Sequence, residues 1–123
     1  MAKHKILVIE DEPGYQDLMK YVFLDYDLTV CGSVEEVEKD HLDEKFDLII
    51  CDINLSGATG FYLLEKFSIE GRTEKVPFIL WSSSDTPEIR QRASELGAAG
   101  FITKPFKTEA VQQMVQIILK SAE

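Results

Sequence analysis

Asp47–Gly60 reads DLIICDINLSGATG: an apolar run, Leu48–Cys51, is closed by an acid, Asp52, and followed by a loop of small and hydroxyl residues. An unbroken apolar run of this length suits a strand buried on both faces, and such strands belong to parallel sheets covered by helices. Four further runs of the same kind lie along the chain: Ile6–Ile9 (ILVI), Leu28–Cys31 (LTVC), Phe78–Trp81 (FILW) and Phe101–Ile102 (FI). Between them the apolar residues fall at helical spacing. Tyr15, Leu18, Met19 and Val22 follow i, i+3, i+4, i+7, and Val111, Met114, Val115 and Ile118 repeat that stripe. Phe61, Leu64 and Phe67 mark a middle helix after Gly60.

Start and stop signals agree with this reading. Ser33-Val34-Glu35-Glu36 has the spacing of a capping box, and Thr86-Pro87 pairs an N-cap residue with Pro at the first helical position. Gly97 suits a left-handed helix end. The spacing predicts five strands alternating with five helices. The second helix, from Val34 to about Glu44, has the weakest apolar stripe and is expected to be the most exposed. Right-handed crossovers then leave an α/β fold with an open, doubly wound, five-stranded parallel sheet. With no internal repeat and no linker-like stretch, residues 1–123 are expected to form one domain.

Composition narrows the function classes. A chain of 123 residues is enough for one core and too short for two domains of ordinary size. Its 13 Lys+Arg against 22 Asp+Glu give a net charge of −9, which disfavours nucleic-acid phosphates, and no basic stripe offsets it. No apolar run approaches the length of a membrane helix, and the start, Met-Ala-Lys-His-Lys, has no leader-like stretch. Cys31 and Cys51 lie in apolar runs without a metal-binding pattern, which fits a reducing compartment. A cytoplasmic protein, free of nucleic acid and membrane, is expected.

In open parallel sheets ligands bind beyond the carboxyl ends of the strands. The residues closing the runs are Glu10-Asp11, Asp52, Ser82-Ser83 and Lys104-Pro105; only the second strand ends without chemistry, as an edge strand would. Any one of these reads as a cap, a turn or a surface charge. Together they supply complementary parts of one reaction. Three carboxylates raise one another's pKa unless cations neutralise them, and Lys104 supplies one positive charge. A hard divalent ion such as Mg²⁺ would supply more, binding one or two carboxylates while leaving room for a phosphate oxygen. Acids, Mg²⁺, a hydroxyl and a lysine are equipment for phosphoryl transfer.

At these residues the sequence resembles the receiver domain of two-component response regulators, over essentially the whole chain. KILVIEDEP, DLIICDINLSGATG, VPFILWSSSD and GAAGFITKPF carry the resemblance, in that order and spacing. It implies the flavodoxin-like strand order 2-1-3-4-5. It also implies that Asp52 accepts a phosphoryl group from a sensor histidine kinase or a histidine phosphotransfer protein. Glu10 and Asp11, with Asp52 and the Asn54 backbone carbonyl, would hold Mg²⁺ or Mn²⁺. Ser82 and Lys104 would bind the phosphoryl group, Phe101 would be the aromatic switch, and Lys104–Pro105 would be a cis bond, as a prolyl bond allows. The departures are Glu10 where Asp is more usual, Ser82 for Thr, Ser56 where Pro is frequent, and Phe101 for Tyr. Glu10 would then reach the ion through water.

On this reading the chain is a signalling domain that catalyses only its own phosphorylation and dephosphorylation. Phosphorylation would draw Ser82 toward the new oxygens, let Phe101 rotate, and repack the face of the fourth helix, fifth strand and fifth helix, where a downstream protein binds. No output module follows the last stripe, so a stand-alone receiver is expected. Trp81, next to Ser82, would report on the site or lie insulated in the core. Two rivals share the chemistry or the fold: an aspartate-nucleophile phosphatase of haloacid dehalogenase type, whose nucleophile lies on the first strand, and a degenerate receiver that binds partners unphosphorylated. A flavodoxin-like electron carrier is rejected, because Glu10-Asp11-Glu12 would repel its phosphate.

Overall fold

The five apolar runs form five strands: β1 (Lys5–Ile9), β2 (Asp27–Cys31), β3 (Leu48–Asp52), β4 (Phe78–Ser82) and β5 (Gly100–Thr103). Five helices alternate with them: α1 (Pro13–Val22), α2 (Val34–Asp40), α3 (Gly60–Ile69), α4 (Pro87–Glu95) and α5 (Thr108–Ser121). A short 3-10 turn, Arg72–Glu74, lies between α3 and β4. The computed structural model describes residues 3–122; Met1 and Ala2, part of the stretch read above for a leader, and Glu123 lie outside them.

Every strand pair is parallel, and the sheet order is β2-β1-β3-β4-β5, the flavodoxin-like doubly wound arrangement. Residues alternate between faces, so each central strand feeds two cores. Ile6, Val8, Leu48, Ile50, Ile79 and Trp81 pack against Met19 and Val22 of α1 and Val111, Val115 and Leu119 of α5. Leu7, Ile9, Ile49, Cys51, Phe78 and Leu80 pack against α2, α3 and α4 on the other side. β1, β3 and β4 are therefore almost wholly buried, and their far ends define one rim of the sheet.

The caps behave as their residue types dictate. Ser33 accepts from the Glu36 backbone N–H and Thr86 from that of Ile89, while Gly97 adopts φ 92° just past α4. The Glu36 carboxylate reaches back one residue further than a capping box requires, to the Gly32 N–H at 2.7 Å.

Two expectations fail. α2 ends at Asp40 and does not run on to Glu44. Glu44 is tied to Lys5 Nζ and His41 Nδ1, each at 3.0 Å, which turns the chain back toward the start of β1 before another helical turn can form. The most exposed helix is α4: it buries only Ala93, whereas the shorter α2 buries Val34 and Val37. Two valines at i, i+3 suffice to seat a two-turn helix, while the polar sequence PEIRQRASE leaves α4 with little to bury.

Candidate functional site

Ladder hydrogen bonds carry the strand register one residue beyond β1, β3 and β5. The Glu10 N–H donates to Cys31 O (2.9 Å), the Ile53 N–H to Trp81 O (3.0 Å) and the Lys104 N–H to Ser82 O (2.9 Å). The rim residues thus sit on rigid backbone, and Glu10, Asp11, Asp52, Asn54 and Lys104 line one cleft of about 280 Å³ with Glu12, Tyr15 and Ser83. The Lys104–Pro105 peptide bond, just beyond β5, is cis.

Lys104 is the centre of the arrangement. Its ammonium donates to Glu10 Oε1 (2.6 Å) and to Asp52 Oδ2 (2.9 Å), with the lysine side chain only 8% exposed. The remaining carboxylate oxygens take backbone donors: the Glu12 N–H reaches Glu10 Oε2 and the Asn54 N–H reaches Asp52 Oδ1, both at 2.9 Å. Charges this deeply placed are tolerable only when paired and hydrogen-bonded in this way. Burial still pushes the Glu10 carboxyl above the usual carboxylate range, against the pull of Lys104, and the charge of Asp52 adds to the rise. Burial alone would lower the Lys104 ammonium, but its hydrogen bonds to Glu10 and Asp52 outweigh this and hold it above its ordinary value.

Asp11 faces the loop after β3. Its Oδ2 accepts from both the N–H and the hydroxyl of Ser56, each at 3.0 Å, and the backbone bond is the main reason its carboxyl lies below the usual range. One oxygen each from Glu10, Asp11 and Asp52 lies within 4.8 Å of the others, a compact set of hard donors suited to a hard divalent cation. Ser82 is wholly buried under the cleft, where its Oγ accepts from Asn54 Nδ2 and the Ser84 N–H, both at 2.9 Å. Two incoming donors leave the hydroxyl proton free to point elsewhere.

Gly60, at the start of α3, lets that helix approach the end of β3. A Cβ there would stand 2.4 Å from the Asp52 carbonyl oxygen.

Phe101 lies away from the cleft, half-buried on β5 against the core shared with α3 and α4. The Arg90 guanidinium covers its ring at 4.8 Å. Arg90 in turn forks onto Asp85, and the Thr103 hydroxyl donates to Asp85 Oδ2 at 2.7 Å. This Asp85–Arg90–Thr103 cluster escaped the sequence reading, since the i, i+5 spacing of Asp85 and Arg90 across a helix start matches no periodic signal. Tyr15, seen in sequence only as part of an apolar stripe, lines the cleft.

Comparison with known proteins places the chain in a family. The family description "Response regulator receiver domain" matches residues 6–116. The chain belongs to that family. The receiver is 31% identical over 123 residues to the alkaline phosphatase synthesis transcriptional regulatory protein PhoP of Bacillus subtilis, covering 97% of this chain and 50% of that protein. The non-phosphorylated HemR receiver domain from Leptospira biflexa superposes with a TM-score of 0.84 at 28% identity, covering 95% of this receiver and 94% of that chain. The Francisella response regulator 1452 receiver domain shares the fold with a TM-score of 0.89 at 24% identity, covering 98% and 99%. The receiver spans half or less of the length of curated relatives such as PhoP and the Enterococcus faecalis protein LytT. None of its described helices is long and apolar enough to cross a membrane.

Proposed function

We propose that this receiver, read as one domain over residues 1–123, is the phosphoacceptor of a two-component system, with Asp52 as the nucleophile. The observation carrying this reading is the Asp52 carboxylate on the cleft, held by the Asn54 N–H and Lys104 beside two further acids. The donor is a phosphohistidine on a histidine kinase or a histidine phosphotransfer protein. An Asp52 oxygen attacks phosphorus as the P–N bond breaks, and the released imidazole nitrogen takes a proton. Lys104 leaves its carboxylate partner for the phosphoryl oxygens, and the Ser82 hydroxyl donates to another. Glu10 (through water), Asp11, Asp52 and the Asn54 carbonyl would hold Mg²⁺, or Mn²⁺, which would neutralise developing charge on the phosphoryl oxygens. Phosphoryl groups stay on the domain as a signal, so it is no turnover enzyme.

The output runs through Ser82. Drawing its hydroxyl toward the phosphoryl group pulls on Ser84 and the start of the segment holding Asp85. Asp85 grips Arg90, and Arg90 covers Phe101, so a shift of this segment repacks the face of α4, β5 and α5. A downstream protein reads that face in the cytoplasm, and the net charge of −9 makes a nucleic acid an unsuitable target.

The test is intact mass after incubation with acetyl phosphate and Mg²⁺. One added phosphoryl group is expected, absent in Asp52→Asn and absent in EDTA. No increment on the wild-type chain, or one that survives Asp52→Asn, overturns the assignment. Steady release of phosphate from simple esters would point to the phosphatase chemistry.

A further inference from the structure

The Lys104 ammonium has three N–H donors. Two are spent on Glu10 and Asp52; its remaining contacts are two aromatic rings, Tyr15 at 4.2 Å and Trp81 at 4.3 Å from ring centre to Nζ. The rings stand 5.4 Å apart at 80° to one another, and Phe106 braces Trp81 from a further 5.7 Å. A desolvated ammonium against two ring faces is a strong form of cation–π contact, and indole is the best ring for it.

The residue types at these positions are not explained by core packing. Trp81 is wholly buried on β4, yet its Nε1 finds no acceptor among the described residues. A leucine would fill apolar space without leaving an N–H unpaired. What the indole adds is its face toward Lys104. Tyr15 is half-buried at the first turn of α1 and reaches the cleft wall, where the helical stripe alone would accept any apolar side chain.

We propose that Tyr15 and Trp81 are positioning residues that cage the Lys104 ammonium and keep it at the acceptor while its anionic partners change. Resting on the phosphoacceptor reading, this cage supplies the one set of contacts that need not be exchanged. A divalent cation competes with Lys104 for Glu10 and Asp52, and the phosphoryl group then replaces a carboxylate as its partner. Neither event alters a ring face. Without the rings the long lysine side chain is free to leave the cleft whenever its carboxylates turn away, and transfer slows because the cation is no longer held in place.

The experiment has two arms. In the first, urea unfolding of wild type, Tyr15→Leu, Lys104→Met and the double variant gives a double-mutant cycle that is independent of phosphorylation. The expected coupling is about 2- to 30-fold in the unfolding constant, the range of a cation–π contact; purely additive effects overturn the cage. In the second, the rate of phosphoryl uptake from acetyl phosphate is measured for Tyr15→Phe, Tyr15→Leu, Trp81→Phe and Trp81→Leu. The Phe variants are expected to stay near wild type and the Leu variants to slow by about 2- to 30-fold, since only the latter lose a ring face. Tyr15→Leu keeps the test valid if Trp81→Leu fails to fold. Wild-type uptake with an unslowed Tyr15→Leu overturns the positioning role. A wild type that takes up nothing overturns the phosphoacceptor reading, and the positioning role with it, while the unfolding cycle still reports whether the contact exists.

Discussion

Gly60→Ala is a sharp test of how the receiver holds β3 at Asp52. Gly60 is the first residue of α3, where alanine would ordinarily stabilise by about 0.4–1 kcal/mol through the unfolded chain. Here the added Cβ would lie 2.4 Å from Asp52 O, 3.0 Å from Asp52 C and 3.1 Å from Ile53 Cα. All three are backbone atoms of the buried central strand and its end, so no side chain can swing aside. The closest approach is about 1 Å short of ordinary contact, and relief requires α3 to back away from Asp52. That movement strains the 3.3 Å hydrogen bond from the Gly60 N–H to Ile53 O, worth about 0.5–1.5 kcal/mol. Overpacking adds about 1–3 kcal/mol. The net expectation is a loss of about 0.5–4 kcal/mol. At about 4 °C per kcal/mol for a chain of this length, the melting temperature should fall by about 2–16 °C. Gly14→Ala is the matched control: it also lies in the first turn of a helix, and the nearest atom to its Cβ is the far end of Glu12 at 3.9 Å. Thermal and urea unfolding followed by circular dichroism would rank the three proteins as Gly14→Ala at or above wild type and Gly60→Ala well below. Phosphoryl uptake by Gly60→Ala should also fall, by up to about 100-fold if Asp52 is displaced by an ångström. A Gly60→Ala protein as stable as Gly14→Ala would refute the close approach on which this reasoning stands.

Two other perturbations address charge. Hydrogen bonds from Arg90, then Thr103, hold the Asp85 carboxyl down to about 2, so the cluster contributes above the ordinary aspartate range and is lost as pH falls toward that value. Arg90→Ala should move the Asp85 midpoint, followed by carboxyl ¹³C NMR, up toward its ordinary value and shift the Phe101 ring resonances; an unmoved midpoint would show that Arg90 does not hold Asp85. Burial raises the Glu10 carboxyl, so between the usual carboxylate range and its raised value the folded protein keeps a proton that the unfolded chain has lost. Metal-free stability should therefore decline as pH rises through that window, while Mg²⁺ affinity, read by Trp81 fluorescence, should climb across it. Glu10→Gln should flatten both trends, and an unchanged pH profile in that variant would remove Glu10 from the account.

The sheet was legible because its signal is local. Each central strand is apolar on both faces, so an unbroken run announces it, and the residue ending each run falls on one rim of the parallel sheet. That is why Glu10, Asp11, Asp52, Ser82 and Lys104 could be grouped from the sequence; all but Ser82 line one cleft, and Ser82 is buried. The misjudged helices show the limit of stripe counting. α2 needs only Val34 and Val37 because two valines fill its narrow seat, and it stops at Asp40 because Glu44 is drawn to Lys5, 39 residues away. α4 is the barest helix because its short polar stretch lies over little apolar surface, with Ala93 as its one buried residue.

From the sequence alone follow the five strands, their alternation with helices, and the acids, hydroxyl and lysine at the strand ends, since each depends on residue type and near-neighbour spacing. Which of those charges pair was decided by the tertiary structure. Lys104, just past β5, meets Glu10 across 94 positions and Asp52 across 52, reaching over the end of β4 to the ends of β1 and β3, which share one rim only after the crossovers close. The same holds for the two rings beside Lys104 and for Arg90 over Phe101. Contacts of a few ångströms between distant segments depend on how helices settle against the sheet, and no periodicity in the chain encodes that distance.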